Sequence, residues 1–151
     1  MSRRIAYYQA SPDAFKALSV TRPIVDGLGV DPKLRALVEL RVSQINGCVY
    51  CVDLHSREAR QAGESQQRLD CLPVWRECTF FDDRERAALA WAESVTYVSQ
   101  TGVPDSVYDE ARQHFSDKEL VDLTAVVSLM NAWNRMAISF RQNPPARTET
   151  K

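Results

Sequence analysis

Apolar residues recur at helical spacing along most of the chain, and no stretch alternates as a half-buried strand would. Leu34, Leu37, Val38, Val42 and Ile45 return at intervals of three and four. They predict an amphipathic helix opened by Asp31-Pro32 and closed at Asn46-Gly47. An earlier helix is opened by Ser11-Pro12-Asp13, with Ser11 as N-cap and Asp13 facing the positive helix end. It carries Ala14, Phe15, Leu18, Ile24 and Val25, with a break or kink expected at Pro23 and a turn at Gly27 and Gly29. Residues 1 to 10 read as an extended arm.

After Gly47 the pattern predicts a new helix from about Cys48 to Ala62, closed by Gly63. Residues 64 to 81 place Leu69, Leu72, Val74, Trp75, Phe80 and Phe81 around Pro73, which suggests a short helix and then a packed loop. Asp82 and Glu85 form a capping-box pattern. Ala88, Trp91, Ala92 and Val95 follow on one face, to about Ser99 and before Gly102. Pro104-Asp105 opens a shorter helix to about Phe115, and Ser116 with Glu119 is a second capping box. From Leu120 to Ala137 the chain is apolar nearly all round, the mark of a buried helix. The tail from Asn143-Pro144-Pro145 is polar, and residues 143–151 are expected to be flexible. The expected architecture is one all-α domain over 1–151, with about six or seven helices.

Composition narrows the function. The chain has 151 residues, 44% of them hydrophobic, enough to bury a core without staples. Its 19 basic and 20 acidic residues leave a net charge of −1, so no basic excess exists to neutralise a nucleic-acid backbone. No apolar run is long enough to span a membrane, and none follows Arg3-Arg4 as a twin-arginine signal requires. The expected compartment is the cytoplasm, where a close cysteine pair points to redox cycling or metal binding more than to a structural staple.

Such a pair lies at Cys48-Val49-Tyr50-Cys51, with His55 following. On a helix starting near Cys48, the spacings of three, four and seven place Cys48, Cys51 and His55 on one face. The positive end of the helix favours thiolate, and cysteines in such motifs have pKa values of roughly 3.5–7.5. His55 is placed to accept a thiol proton or to steady the thiolate. A thiolate that attacks a peroxide becomes a sulfenic acid, and a second thiol then condenses with it to a disulfide. That chemistry needs neither metal nor organic cofactor. Zinc is the main rival, since Cys48, Cys51 and His55 are all acceptable ligands, but a structural site needs a fourth. Cys71 and Cys78, seven apart and flanked by apolar residues, read as core cysteines. His114 reads as a surface residue near a helix end, Trp91 and Trp133 as core, and Tyr50 as packing or pocket-shaping. Asn131, Asn134 and Arg135 are unusual in so apolar a helix. They satisfy buried backbone, line an interface, which is the favoured reading, or reach the site.

The run Ser43-Gln44-Ile45-Asn46-Gly47-Cys48-Val49-Tyr50-Cys51-Val52-Asp53-Leu54-His55 closely resembles the alkylhydroperoxidase D-like (AhpD-like) group of the carboxymuconolactone decarboxylase family. Leu37 to Arg41, Arg86 to Glu93 and Asn131 to Arg135 resemble further segments of that group, and the likeness spans about residues 5 to 141. It implies an all-helical fold assembled as a homo-oligomer, a trimer or hexamer. It implies peroxidase activity on small organic or hydrogen peroxides, with Cys51 attacking, Cys48 resolving and His55 in a proton relay. The implied reductant is a dithiol, supplied by a lipoylated or thioredoxin-like partner. One departure stands out. The family relay has a glutamate twelve residues before the first cysteine, and this chain has Ala36 there. Glu39, nearly one turn further on, and Glu93, from a later helix, are the candidate substitutes.

The leading expectation is therefore a thiol-dependent peroxidase with Cys51, Cys48 and His55 as its working residues. A redox sensor or oligomeric binding protein built on the same disulfide is the alternative, and lactone decarboxylation ranks below both because it has no evident use for a cysteine pair.

Overall fold

The computed structural model describes residues 2–146, and the last part of the predicted tail, 147–151, lies outside them. Among the described residues there are α-helices and one 3₁₀ segment, with no strand. In order they are α1 (Tyr7–Ala10), α2 (Pro12–Ser19), α3 (Thr21–Asp26), α4 (Pro32–Asn46), α5 (Val49–Gln61), α6 (Gln66–Cys71), the 3₁₀ segment (Leu72–Glu77), α7 (Asp83–Thr96), α8 (Val98–Thr101), α9 (Asp105–His114) and α10 (Asp117–Ser139). The all-α expectation holds. The count exceeds six or seven because α1, α3, α8 and the 3₁₀ segment are single turns or short pieces that periodicity does not resolve.

The starts follow local chemistry. Asp31 accepts the backbone N–H groups of Lys33 and Leu34 at 3.0 and 2.9 Å. Asp82 and Ser116 each complete a reciprocal capping box, with Glu85 and Glu119. Ser11 precedes α2 but makes no side-chain cap. Pro23 does not break its helix. The interruption comes earlier, at Val20, and Pro23 sits in the first turn of α3, where no N–H is needed. Residues 72–77 wind as a 3₁₀ segment and not as a loop, with Pro73 in its first turn. The chain bends at Tyr97, so α7 stops short of Ser99. The arm is tied down and partly helical: the Arg4 N–H donates to Phe140 O at 3.1 Å, and the Tyr7 ring lies 5.6 Å from that of Phe140.

The two long helices exchange the roles their patterns imply. α4, expected to be amphipathic, is the central helix, packed against α5, α7 and α10. It feeds one apolar cluster through Leu34, Val38 and Val42, and a second through Ala36, Leu37 and Leu40. α10, expected to be buried all round, shows Val121 and Ile138 to solvent and buries a stripe at Leu120, Leu123, Val127, Met130 and Asn134. Hydrophobic content alone does not rank helices by burial, because neighbours on several sides decide it.

The α4–α5 junction fixes everything downstream. Gly47 adopts φ 69° and ψ 32°, in the left-handed region. The Gly47 N–H donates to Gln44 O at 3.2 Å, and the Cys48 N–H to Ser43 O at 3.0 Å. This is a Schellman stop, and the residue that completes it, Cys48, is also the N-cap of α5. A Cβ on Gly47 would meet nothing within 4 Å. Gly47→Ala should therefore cost only backbone strain, about 1–2 kcal/mol, and Gly47→Asn less, since asparagine tolerates this conformation. Urea unfolding of the two variants checks the order.

Candidate active site

Cys48, at the N-cap, accepts the Cys51 backbone N–H at 3.4 Å. The Cys51 thiol hydrogen-bonds to Cys48, and Asn134 reaches both sulfurs. These contacts divide the pair. The hydrogen bond from the Cys51 thiol, outweighing burial and helped by the Cys51 N–H, Asn134 and the nearby His55, brings the Cys48 pKa down to about 7. Cys51 is pushed up because it is the donor to Cys48, because it is buried, and because the Cys48 charge opposes a second one. Above about pH 7 the pair holds one proton, kept on Cys51, with the negative charge on the helix-capping Cys48.

His55 lies one turn beyond Cys51 and is buried. Its Nδ1 faces two carboxylates, Glu58 Oε2 at 2.8 Å and Glu39 Oε2 at 3.5 Å. A nitrogen between carboxylates carries the hydrogen, which leaves Nε2 to take a proton. Burial pushes the Glu39 carboxyl up, and His55, Arg22 and Arg35 pull against that. Glu58 is held below the usual carboxylate range chiefly by its hydrogen bond with His55. Arg22 comes in from α3, with Nη1 3.0 Å from Glu39 Oε1. Two carboxylates beside one imidazole would otherwise repel each other in a buried place, and the guanidinium offsets this.

The sequence-derived candidates separate here. Cys48, Cys51, His55 and Glu39 come together. Ala36 packs in the second apolar cluster, and the α4 carboxylate that reaches His55 is Glu39. Glu93 is not brought to His55. Burial disfavours its charge, but hydrogen bonds from Trp75, Arg76 and Arg41 hold its pKa down. Arg41 Nε donates at 2.8 Å and Trp75 Nε1 at 2.9 Å, a structural pairing that ties α4 to the 3₁₀ segment and α7. Asn131 and Asn134 do not line an exposed interface. Both are buried, and the side chain of Asn46 donates to them at 3.0 and 2.9 Å, while Asn134 Nδ2 donates to Ser43 Oγ at 3.3 Å. Arg135 bonds back to Asn131 O at 2.9 Å. The donor atoms that gather within 4.8 Å are those of Glu39, His55 and Glu58, not those of the zinc set Cys48, Cys51 and His55. Glu58 and Arg22 are absent from the sequence-derived candidates. Glu58, three residues after His55, is within reach of a helical-spacing argument; Arg22 joins through tertiary packing alone.

Two clefts open on the pair. Cys51, His55, Glu58 and Arg22 line a cavity of about 520 Å³, walled by the aromatic rings of Tyr7, Tyr50 and Trp133. Tyr50 thus shapes the pocket, and Trp133, expected in the core, forms part of its wall. Trp91 is a core residue, its Nε1 donating to Thr124 at 3.0 Å, and His114 lies at the end of α9 beside Glu110. Cys48 lines a smaller cleft of about 180 Å³, with Gly47, Ile138 and Arg141. Among the described residues, no helix is long and apolar enough to cross a membrane.

An all-helical domain with this dithiol and buried histidine defines an AhpD-like protein, and comparison with known proteins agrees. Residues 12–94 match the carboxymuconolactone decarboxylase family, and the chain belongs to it. It is 37% identical over 139 residues to the uncharacterized protein YdfG of Bacillus subtilis, covering 92% of this chain and 95% of that one. A solved Agrobacterium tumefaciens protein of unknown function, ATU0492, suggested to be the antioxidant defence protein AhpD, superposes with a TM-score of 0.94 at 41% identity, over 97% of this chain and 100% of its own. An uncharacterized peroxidase-related protein from Ralstonia eutropha, with an alkylhydroperoxidase AhpD core, gives a TM-score of 0.79 at 26% identity, over 92% of this chain and 74% of its own.

The division of charge between the thiols sets a pH dependence. A group with its pKa at about 7 is thiol below that pH and thiolate above it. The ultraviolet thiolate absorbance of the reduced protein should rise through about pH 7. In Cys48→Ser that step should vanish.

Proposed function

We propose that the protein is a thiol-dependent peroxidase that reduces organic or hydrogen peroxides. The observation that carries this reading is that Cys51 and His55 open on one cavity, with Glu39 and Glu58 behind the histidine and the Cys48 sulfur beside Cys51. His55 takes the Cys51 proton through Nε2, while Glu39 and Glu58 steady the imidazolium from the Nδ1 side. The Cys51 thiolate attacks the terminal oxygen of the hydroperoxide. The O–O bond breaks, Cys51 becomes a sulfenic acid, and the alkoxide leaves as the alcohol with the proton from His55. Cys48 then attacks the Cys51 sulfur, its own thiol proton passes to the hydroxyl, which leaves as water, and the Cys48–Cys51 disulfide forms. A dithiol restores the pair by exchange. The family resemblance supports a lipoylated or thioredoxin-like donor and a trimeric or hexameric assembly. No metal or organic cofactor enters these steps.

Peroxide turnover with a dithiol donor tests the scheme. Cys51→Ser should abolish it, and His55→Ala should lower it by about 10²–10⁴-fold, the usual worth of general acid–base help. Glu39→Gln should lower it less, whereas Glu93→Gln should reduce stability and leave the rate per folded molecule unchanged. Full turnover in Cys51→Ser would overturn the assignment. Disulfide formation without turnover by the native chain would point to a sensing role.

A further inference from the structure

The carboxylates around His55 form a ligand set as well as a relay. Glu39 Oε2 and Glu58 Oε2 face His55 Nδ1 at 3.5 and 2.8 Å. One donor atom from each of the three residues lies within 4.8 Å of the others. They come from α4 and α5, so the packing that fixes the thiols fixes them too. An imidazole nitrogen with two carboxylate oxygens suits zinc, which binds both at about 2.0–2.2 Å. Two ligands on a tetrahedral ion at that range stand about 3.4 Å apart, and the His55–Glu39 separation matches this edge. Glu58 is closer and must draw back by about half an ångström. Its side chain is 38% exposed, which gives it room. Magnesium and calcium fit less well, since they call for about six or more ligands, mostly oxygen.

The surroundings favour a cation. Arg22 holds Glu39 chiefly through Oε1, at 3.0 Å, and reaches Oε2 at only 3.4 Å, which leaves Oε2 for an ion. Asp26 engages Arg22 and Arg35 at 2.9 and 3.0 Å. With His55 neutral, the carboxylates of Glu39, Glu58 and Asp26 outnumber the guanidinium groups of Arg22 and Arg35, and the cluster keeps a net negative charge. His55, Glu58 and Asp26 line the 520 Å³ cavity, so an ion can enter from there and keep water as its fourth ligand.

We propose that Glu39, His55 and Glu58 form a site for a zinc-class divalent cation, and that an ion bound there switches the cysteine pair off. The ion takes the place of the Nδ1 proton. The ring's one proton is then confined to Nε2, which can no longer accept the proton of Cys51. The site stands on its own geometry, and the effect on Cys51 rests on the role given to His55 in the proposed function.

The probe is cobalt(II), a coloured stand-in for zinc, titrated into the reduced full chain and into the full chain carrying Cys48→Ser and Cys51→Ser. Both should bind one equivalent with visible bands, and without the near-ultraviolet sulfur-to-cobalt band that thiolate ligands give. Absence of that band also excludes Cys71 and Cys78, which are partly buried and not the core residues their spacing suggests. Zinc should displace the cobalt, and Glu58→Gln should weaken binding at least about tenfold. A sulfur-to-cobalt band for the first equivalent in the native chain, no saturable binding by the double variant, or unchanged affinity in Glu58→Gln would each overturn the site. Should the double variant not fold, the native spectrum and Glu58→Gln decide. The switch is read in Cys48→Ser as the rate of iodoacetamide capture at Cys51. Bound zinc should slow it at least about tenfold, the low side of the usual worth of a general base, and an unchanged rate would overturn the switch. Neither readout needs peroxide turnover, so a chain inactive on peroxides would sink the peroxidase reading alone.

Discussion

The hydrogen bond from the Cys48 N–H to Ser43 O is the constraint on which the rest of the site depends. It closes α4 while placing the Cys48 sulfur over the first turn of α5, so one residue serves two helices. Because α4 is held by α5, α7 and α10 together, the thiol pair inherits the rigidity of the best-packed helix. Asn46, the last residue of α4, is locked to Asn131 and Asn134 of α10. Those amides extend the lock to Ser43 and to the sulfurs themselves. A buried polar network of this kind is costly unless every member finds a partner. Here its members fix where two reactive atoms stand.

Charge is managed in the same way. The dithiol keeps one proton between two sulfurs, while the imidazole behind it sits between two carboxylates and a guanidinium. No buried charge in this group stands alone, and each altered pKa reflects burial set against named neighbours. Glu39 presents a carboxylate to His55 from three residues beyond the position where the family pattern has one. Ala36 packs among the apolar residues of the second cluster, whereas Glu39 meets Arg22 of α3 and His55 of α5.

Much of this is legible in the order of the residues. The two capping boxes, the stop at Gly47 and the helical register of Cys48, Cys51 and His55 are local signals, each carried by a few adjacent residues. The carboxylate beside His55 is readable as a choice between two, Glu39 or Glu93, but finding which one lies there needs the packing of α4 against α5 and α7. What stays hidden is tertiary. Arg22 arrives from a short helix whose pattern says nothing about its destination. Asn134 looks like an interface residue until the neighbouring α4 is in place.

The cavity walls come from widely separated parts of the chain. Tyr7 and Phe15 come from the first helices and Met130, Trp133 and Ala137 from the last, with Cys51 between them in the sequence. During synthesis the cysteines are therefore made well before the wall that shelters them. Until Ala137 has emerged and α10 has docked, the pair has neither its full enclosure nor the Asn134 contact that favours negative charge on either sulfur. The reactive geometry is a property of the completed fold, so a nascent or trimmed chain would carry the motif without its selectivity.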